Sequence, residues 1–377
     1  QSPVGRPFAN LPPVSLTEWP DNPQNAHQHY RAGHSFFRYF TQHYGGLKNV
    51  RLLVEEPLHG IPGVNAYLKR LGYPERFTEI FKEWVIANYL GLEGEEKYAY
   101  RTAPPKIEPF HIIRGKGSLS GTLPQFAAGY FEIIPGAKSS ALIFRGQPSV
   151  QLLPIQPHSG DFCWWSNRGD SIDAQLTRQF DLREVSSATL DFWVWYNIEQ
   201  WWDYAYVAVS TNGGDNWQIL EGEHTSPWNP VGSSYGPGFT GQSTGWVRER
   251  IDLTPFVGNN LLVRFEYVTD EAINLDGLCL DDIAVAEIGF FDDAESEETW
   301  DASGFVRTKN MLPQVYAVQL IKATENGNLI VHDLPLSASN TARFPLEGPG
   351  RVTAIVTPMT RITRQEAIYS LELAPVP

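Results

Sequence analysis

Two spacings divide the chain. From about Ala26 to Asn88, apolar side chains recur every three or four positions; from Ala128 onward they recur every second position. Tyr30, Gly33, Phe37, Phe40 and Tyr44 mark a first helix that Gly45-Gly46 stops. Leu47–Glu55, closed by Pro57, and Pro62–Leu71, closed by Gly72, predict two shorter helices. Pro74–Leu90 carries the clearest stripe, with Phe77, Ile80, Phe81 and Trp84 on one face. Strands are predicted at Ala128–Ile134, Ser140–Phe144, Val150–Leu153, Thr177–Phe180, Thr189–Tyr196, Tyr204–Ser210, Trp217–Leu220, Trp246–Asp252, Leu261–Val268 and Leu278–Ala286. Five more follow between Val315 and Leu373, after an acidic, loop-like stretch from Asp292 to Asp301.

This pattern predicts a mainly β protein with a small N-terminal α subdomain: a jelly-roll β-sandwich flanked by, or inserted in, a second β-sandwich. The segments are an extended arm over 1–25, a helical subdomain over 26–106, first sandwich strands over 107–158, a jelly-roll module over 159–290 and C-terminal strands over 291–377. Neither outer set of strands suffices for a sandwich; together they reach the usual count. Two small neighbouring β domains are the alternative.

Composition narrows the classes. At 377 residues, 42% of them apolar, the chain has material for more than one core. Its 32 Gly and 28 Pro suit short strands joined by tight turns. A net charge of -14 argues against nucleic acid, whose phosphates demand a basic face. No run reaches the roughly 18 apolar residues that a membrane-crossing helix needs. The opening Gln1-Ser-Pro-Val-Gly reads as a mature or processed start rather than a targeting segment.

Several spaced motifs are specific. Trp164-Trp165-Ser-Asn-Arg-Gly-Asp170-Ser-Ile-Asp173 comes first, then Thr189-Leu-Asp-Phe-Trp-Val-Trp-Tyr196 and Trp202-Asp-Tyr-Ala-Tyr206 running to Trp217. Asn229-Pro-Val-Gly, Thr240-Gly-Gln-Ser-Thr-Gly-Trp246, Phe265-Glu-Tyr-Val-Thr-Asp270 and Leu280-Asp-Asp-Ile283 complete the series. In this order they resemble the post-catalytic module of immune inhibitor A metallopeptidases. The resemblance implies a jelly-roll sandwich on a secreted bacterial protein, at the cell surface or free outside the cell.

The helical stretch is similar to the C-terminal half of a zinc peptidase domain. In such domains a Tyr opening this helix helps to bind the tetrahedral oxyanion, and Tyr30 matches that position. The zinc itself comes from a His-Glu-x-x-His helix, and neither that motif nor its inverted form occurs in these 377 residues. His27, His29 and His34 crowd one stretch without a placed carboxylate and read better as solvent-facing or capping residues. Without a metal-bound water the chain has no nucleophile, so it is expected to be inactive alone.

The acidic residues at the two ends of the module offer a calcium site. If first and last strands are neighbours, Asp170 and Asp173 meet Asp281 or Asp282, and oxygen-rich loops of this kind suit calcium. Asp203 is a further ligand, with Glu199, Asp270 and Asp276 also available; the competing reading is turn and cap carboxylates. Related modules imply that such calcium is structural. Cys163 and Cys279 lie just before the first and last motifs, so paired strands would bring them within disulfide reach. Closing that loop is worth about 4–5 kcal/mol by chain entropy; two separate buried thiols are the alternative. Trp201, Trp202 and Trp228 fall in loops and are the candidates for stacking on a glycan, whereas alternating aromatics such as Trp193 and Trp195 belong to a core.

The expected function is the non-catalytic C-terminal portion of a secreted metallopeptidase-like protein: a calcium-stabilised extracellular β protein that binds a protein partner or cell-surface glycan. One alternative is part of an active zinc endopeptidase whose zinc-bearing N-terminal fragment lies outside this chain and associates with it. The other is a glycan-binding or filament-forming envelope protein.

Overall fold

The three- and four-residue spacing resolves into four helices, α1 (Ala26–His43), α2 (Val50–Val54), α3 (Gly60–Arg70) and α4 (Phe77–Leu90). The structure, a computed structural model, describes residues 13–19, 26–136, 140–296, 300–323, 328–346 and 350–375. The arm read over 1–25 lies outside these except for 13–19, which have no regular structure; there Leu16 N–H donates to Phe126 O at 3.0 Å. Helix α4 shows why the pattern works. Glu79 reaches back to the Arg76 N–H at 3.0 Å, and Gly91, in the left-handed region at φ 58°, ends the helix. Between those signals Ile80, Phe81, Trp84, Val85 and Ala87 are buried.

The chain forms two units, one from residues up to 152 together with 312 onward, the other from 153 to 311. In the first, strands from both stretches interleave. Gly129–Ile134 pairs with Val352–Pro358, and Ser140–Gly146 lies between Ala367–Pro375 and Thr341–Leu346. Phe131, Phe144, Leu320, Val356 and Leu371 fill the space between its two sheets. The helices cover one of them, where Phe81 and Tyr39 share a core with Tyr130, Ile321 and Ile355.

The second unit is an antiparallel sandwich of twelve described strands: β1 (Cys163–Trp165), β2 (Asp173–Asp181), β3 (Thr189–Ile198), β4 (Tyr204–Ser210), β5 (Gln218–Leu220), β6 (Gly241–Gln242), β7 (Val247–Asp252), β8 (Asn260–Val268), β9 (Gly277–Val285), β10 (Phe290–Asp292), β11 (Asp301–Ser303) and β12 (Val306–Thr308). One sheet runs β5-β4-β8-β2-β11, the other β6-β3-β9-β1-β12, with β7 against β3 and β10 against β9. Alternation in β3 sends Leu190, Phe192, Val194 and Ile198 into the core, where Phe192 meets Phe265 of β8 edge-to-face at 5.0 Å. First and last motifs are neighbours: Cys279 stands opposite Trp165.

The boundary expected at residue 290 is too early. β11 pairs with β2 and β12 with β1, so 291–311 belongs to the central unit. The acidic composition of 292–301 hid this. Asp292 is buried and accepts hydrogen bonds from the indoles of Trp164 at 3.0 Å and Trp300 at 2.8 Å, so a residue read as loop polarity holds the edge of the core.

Candidate metal centre

Three strands of the central unit deliver carboxylates to one end. Glu199 follows β3, Asp203 precedes β4 and Asp270 follows β8. One oxygen from each lies within 4.8 Å of the other two, making this the one group of three or more potential metal-ligating side chains among the described residues. The connection from β3 to β4 is tight: Asp203 N–H donates to Glu199 O at 3.1 Å, and Trp201 adopts φ 73°, a left-handed conformation that costs a non-glycine residue energy. Thr240 holds that turn, accepting from Trp201 N–H at 2.9 Å and donating to Glu199 O at 3.3 Å.

Asp203 is fully buried. Its Oδ1 accepts from Asp270 N–H at 2.9 Å and its Oδ2 from the Tyr267 hydroxyl at 3.5 Å. Burial pushes the Asp203 carboxyl up to about 7, the charges of Asp270 and Glu199 adding to the rise. Glu199 also rises to about 7, first through burial and then through the charges of Asp270 and Asp170. A hard, oxygen-only donor set with one buried member and mutually repelling charges fits a divalent cation such as calcium, which would offset that repulsion.

Asp170 and Asp173 do not join Asp281 and Asp282 in one site. Asp170 is exposed and accepts from Asn274 Nδ2 at 2.6 Å, adding only its field to Glu199. Asp173 is also exposed and is bound by Gln175 Nε2 at 3.0 and 3.1 Å. Asp281 is buried, and its Oδ2 accepts the backbone N–H groups of His158 at 2.8 Å and Ser159 at 3.1 Å. Asp282, at φ 48° where the pairing of β9 with β3 shifts register, binds His158 Nδ1 at 2.6 Å and Ser159 Oγ at 2.7 Å. His158 in turn stacks on Trp193 with ring centroids 3.9 Å apart. These partners occupy the Asp281–Asp282 oxygens, so the pair anchors the 158–159 segment. Sequence reading did not single out His158 or Ser159, whose role depends on this register shift.

The thiols of Cys163 and Cys279 are 3.2 Å apart, and both residues are buried. Trp202 and Trp228 are 46% and 69% exposed, whereas Trp201 is half-buried in the turn it forms. Tyr235, which sequence reasoning did not select, is also exposed; the Tyr206 hydroxyl accepts its N–H at 3.0 Å while the Tyr204 hydroxyl donates to Trp228 O at 2.8 Å. Two buried tyrosines thus fasten the loop that carries the outward rings. In the other unit, Tyr30 is 65% exposed and lies edge-on to Trp19, with centroids 4.7 Å apart.

Residues 138–310 match the family described as "Immune inhibitor A-like, MAM domain". The chain is 33% identical over 166 residues to the pre-pro-metalloprotease PrtV of Vibrio cholerae serotype O1, covering 43% of this chain and 17% of that one. It is 30% identical over 164 residues to immune inhibitor A of Bacillus thuringiensis subsp. alesti, 42% of this chain and 23% of that one. Bacillopeptidase F of Bacillus subtilis matches at 32% over 104 residues, 28% of this chain and 6% of that one. The matched stretch thus spans less than a quarter of each of these relatives. Among the described residues, no helix is long and apolar enough to cross a membrane.

Proposed function

We propose that the chain, whose residues 138–310 match the immune inhibitor A-like MAM family in keeping with the resemblance read from its motifs, is a non-catalytic part of a secreted metallopeptidase-like protein. In this reading it acts outside the cell as a β-rich binding or structural element, and calcium at Glu199, Asp203 and Asp270 stabilises it. The observation that carries the reading is the convergence of those three carboxylates, one fully buried, at the end of the sandwich. Two loops, the β3–β4 turn and the one after β8, would be cross-linked there by one ion. The test is thermal unfolding of the full chain in calcium and in chelator. Calcium at about a hundredfold over its Kd should add about 2.7 kcal/mol, and Asp203→Asn should abolish that gain. An unchanged melting temperature with calcium would overturn the proposed site.

A second reading makes the chain part of an active zinc endopeptidase. Its zinc-bearing segment would lie outside these residues, and Tyr30, exposed one turn into α1, would steady the oxyanion. Similarity to relatives named as metalloproteases supports it. Stoichiometric zinc and casein cleavage by this chain alone would exclude the non-catalytic reading. The outward Trp202 and Trp228 support a glycan-binding role, and a glycan array on which Trp228→Ala binds as the unaltered chain does would remove Trp228 from it.

A further inference from the structure

We propose that Cys163 and Cys279 form a disulfide, a sealed staple that joins β1 to β9 and is not a reversible redox switch. The residues lie on adjacent antiparallel strands, with Cys279 opposite Trp165 and Leu280 opposite Trp164. That diagonal places both side chains on the same face, and their sulfurs approach to 3.2 Å. Covalent closure needs only a small further approach of the two side chains. No other cysteine occurs in the chain to compete for either thiol.

The surroundings decide the kind of disulfide. Cys163 is 1% exposed and Cys279 0%, with β1 flanked on both sides by β9 and β12. A reductant attacking as a thiolate has no path to either sulfur while these strands are paired. Burial and the neighbouring thiol also push the Cys279 thiol up, so the folded, reduced chain presents little thiolate to an oxidant. Oxidation therefore belongs to folding, before β1 is enclosed. Each thiol gives up its proton, one Sγ–Sγ bond forms, and the two electrons pass to a disulfide oxidant such as glutathione disulfide, which leaves as two thiols.

The bond closes a loop from residue 163 to residue 279, and Glu199, Asp203 and Asp270 all lie within it. The extracellular placement proposed above explains where an oxidant would be met, but the bond itself can be tested without it. Full-length chain is refolded from denaturant in a glutathione/glutathione disulfide buffer, then digested without reduction. The expected product is one peptide pair linked through Cys163 and Cys279, with loss of two hydrogens in the intact mass. The native oxidised chain should resist dithiothreitol until denaturant is added, and reduction should lower the melting temperature by about 10 °C. Two alkylatable thiols after oxidative refolding, or only disulfide-linked dimers, would overturn the staple. Rapid reduction of the native chain would overturn its sealed character. If reduced chain does not refold, Cys163→Ala with Cys279→Ala supplies the melting comparison. Loss of the calcium response with the linked peptide intact would count against the metal centre alone.

Discussion

Two acidic groups in the central unit contain the same kinds of residue and use them in opposite ways. At Glu199, Asp203 and Asp270 the carboxylates face one another; at Asp281 and Asp282 they face backbone N–H groups, a serine hydroxyl and an imidazole. Both groups hold a buried aspartate whose carboxyl is pushed up to about 7, chiefly by burial. The shift alone therefore does not distinguish a metal centre from a structural anchor. What differs is the company of the oxygens. Each Asp203 oxygen accepts one hydrogen bond but also faces the carboxylates of Glu199 and Asp270, whose repulsion a cation would offset. Two backbone N–H groups, a serine hydroxyl and an imidazole instead meet the Asp281–Asp282 oxygens.

The comparison is open to attack first at the anchor. Asp281→Ala strands the N–H groups of His158, Ser159 and Asp282, which now donate to its carboxylate, and should cost about 3 kcal/mol in chemical denaturation. That loss should be the same with calcium or with chelator. A calcium-dependent loss would merge the two groups into one site. Asp203→Asn should behave the other way round: in chelator it relieves like-charge repulsion and holds or raises stability, and only in calcium does it fall behind the unaltered chain.

The smallest effect is in pH dependence. Asp203 and Glu199 titrate near 7 when folded, above their ordinary 3.8 and 4.5. Between those limits the folded chain binds more protons than the unfolded one, so their contribution is full below about pH 4 and lost as pH rises through 7. Asp281 contributes with the same sign. Calcium stands in for the proton at the first group only, so it should flatten part of the decline from pH 5 to 7.5, and Asp203→Asn should reduce the part it flattens. A profile untouched by calcium would count against cation binding at Glu199 and Asp203.

The strands of the sandwich were legible because their alternation is strong: Thr189–Tyr196 and Leu261–Val268 were read from sequence within two residues of β3 and β8. The meeting of the module's two ends was legible too, since acidic and cysteine marks recur at both. The partnership among carboxylates was not. Glu199, Asp203 and Asp270 are separated by a tight turn and a whole strand pairing, and nothing local says that their loops share an end. Asp281 and Asp282 were drawn to the metal by composition, but a register shift in β9 turns them toward His158 and Ser159. The strands at 301–303 and 306–308 escaped notice because they are three residues long, lie at sheet edges and follow an acidic stretch.

The interleaving of early and late strands imposes an order on biosynthesis. Gly129 finds its partner in Val356, and Phe144 in Leu371, so the outer sandwich stays half-made until the strands at 352–358 and 367–375 have been synthesised. The central unit, complete by residue 311, has all its partners long before then. A nascent chain therefore completes its central unit before its outer sandwich, whose orphan strands 129–134 and 140–146 need shielding from other chains until their partners at 341–346, 352–358 and 367–375 arrive.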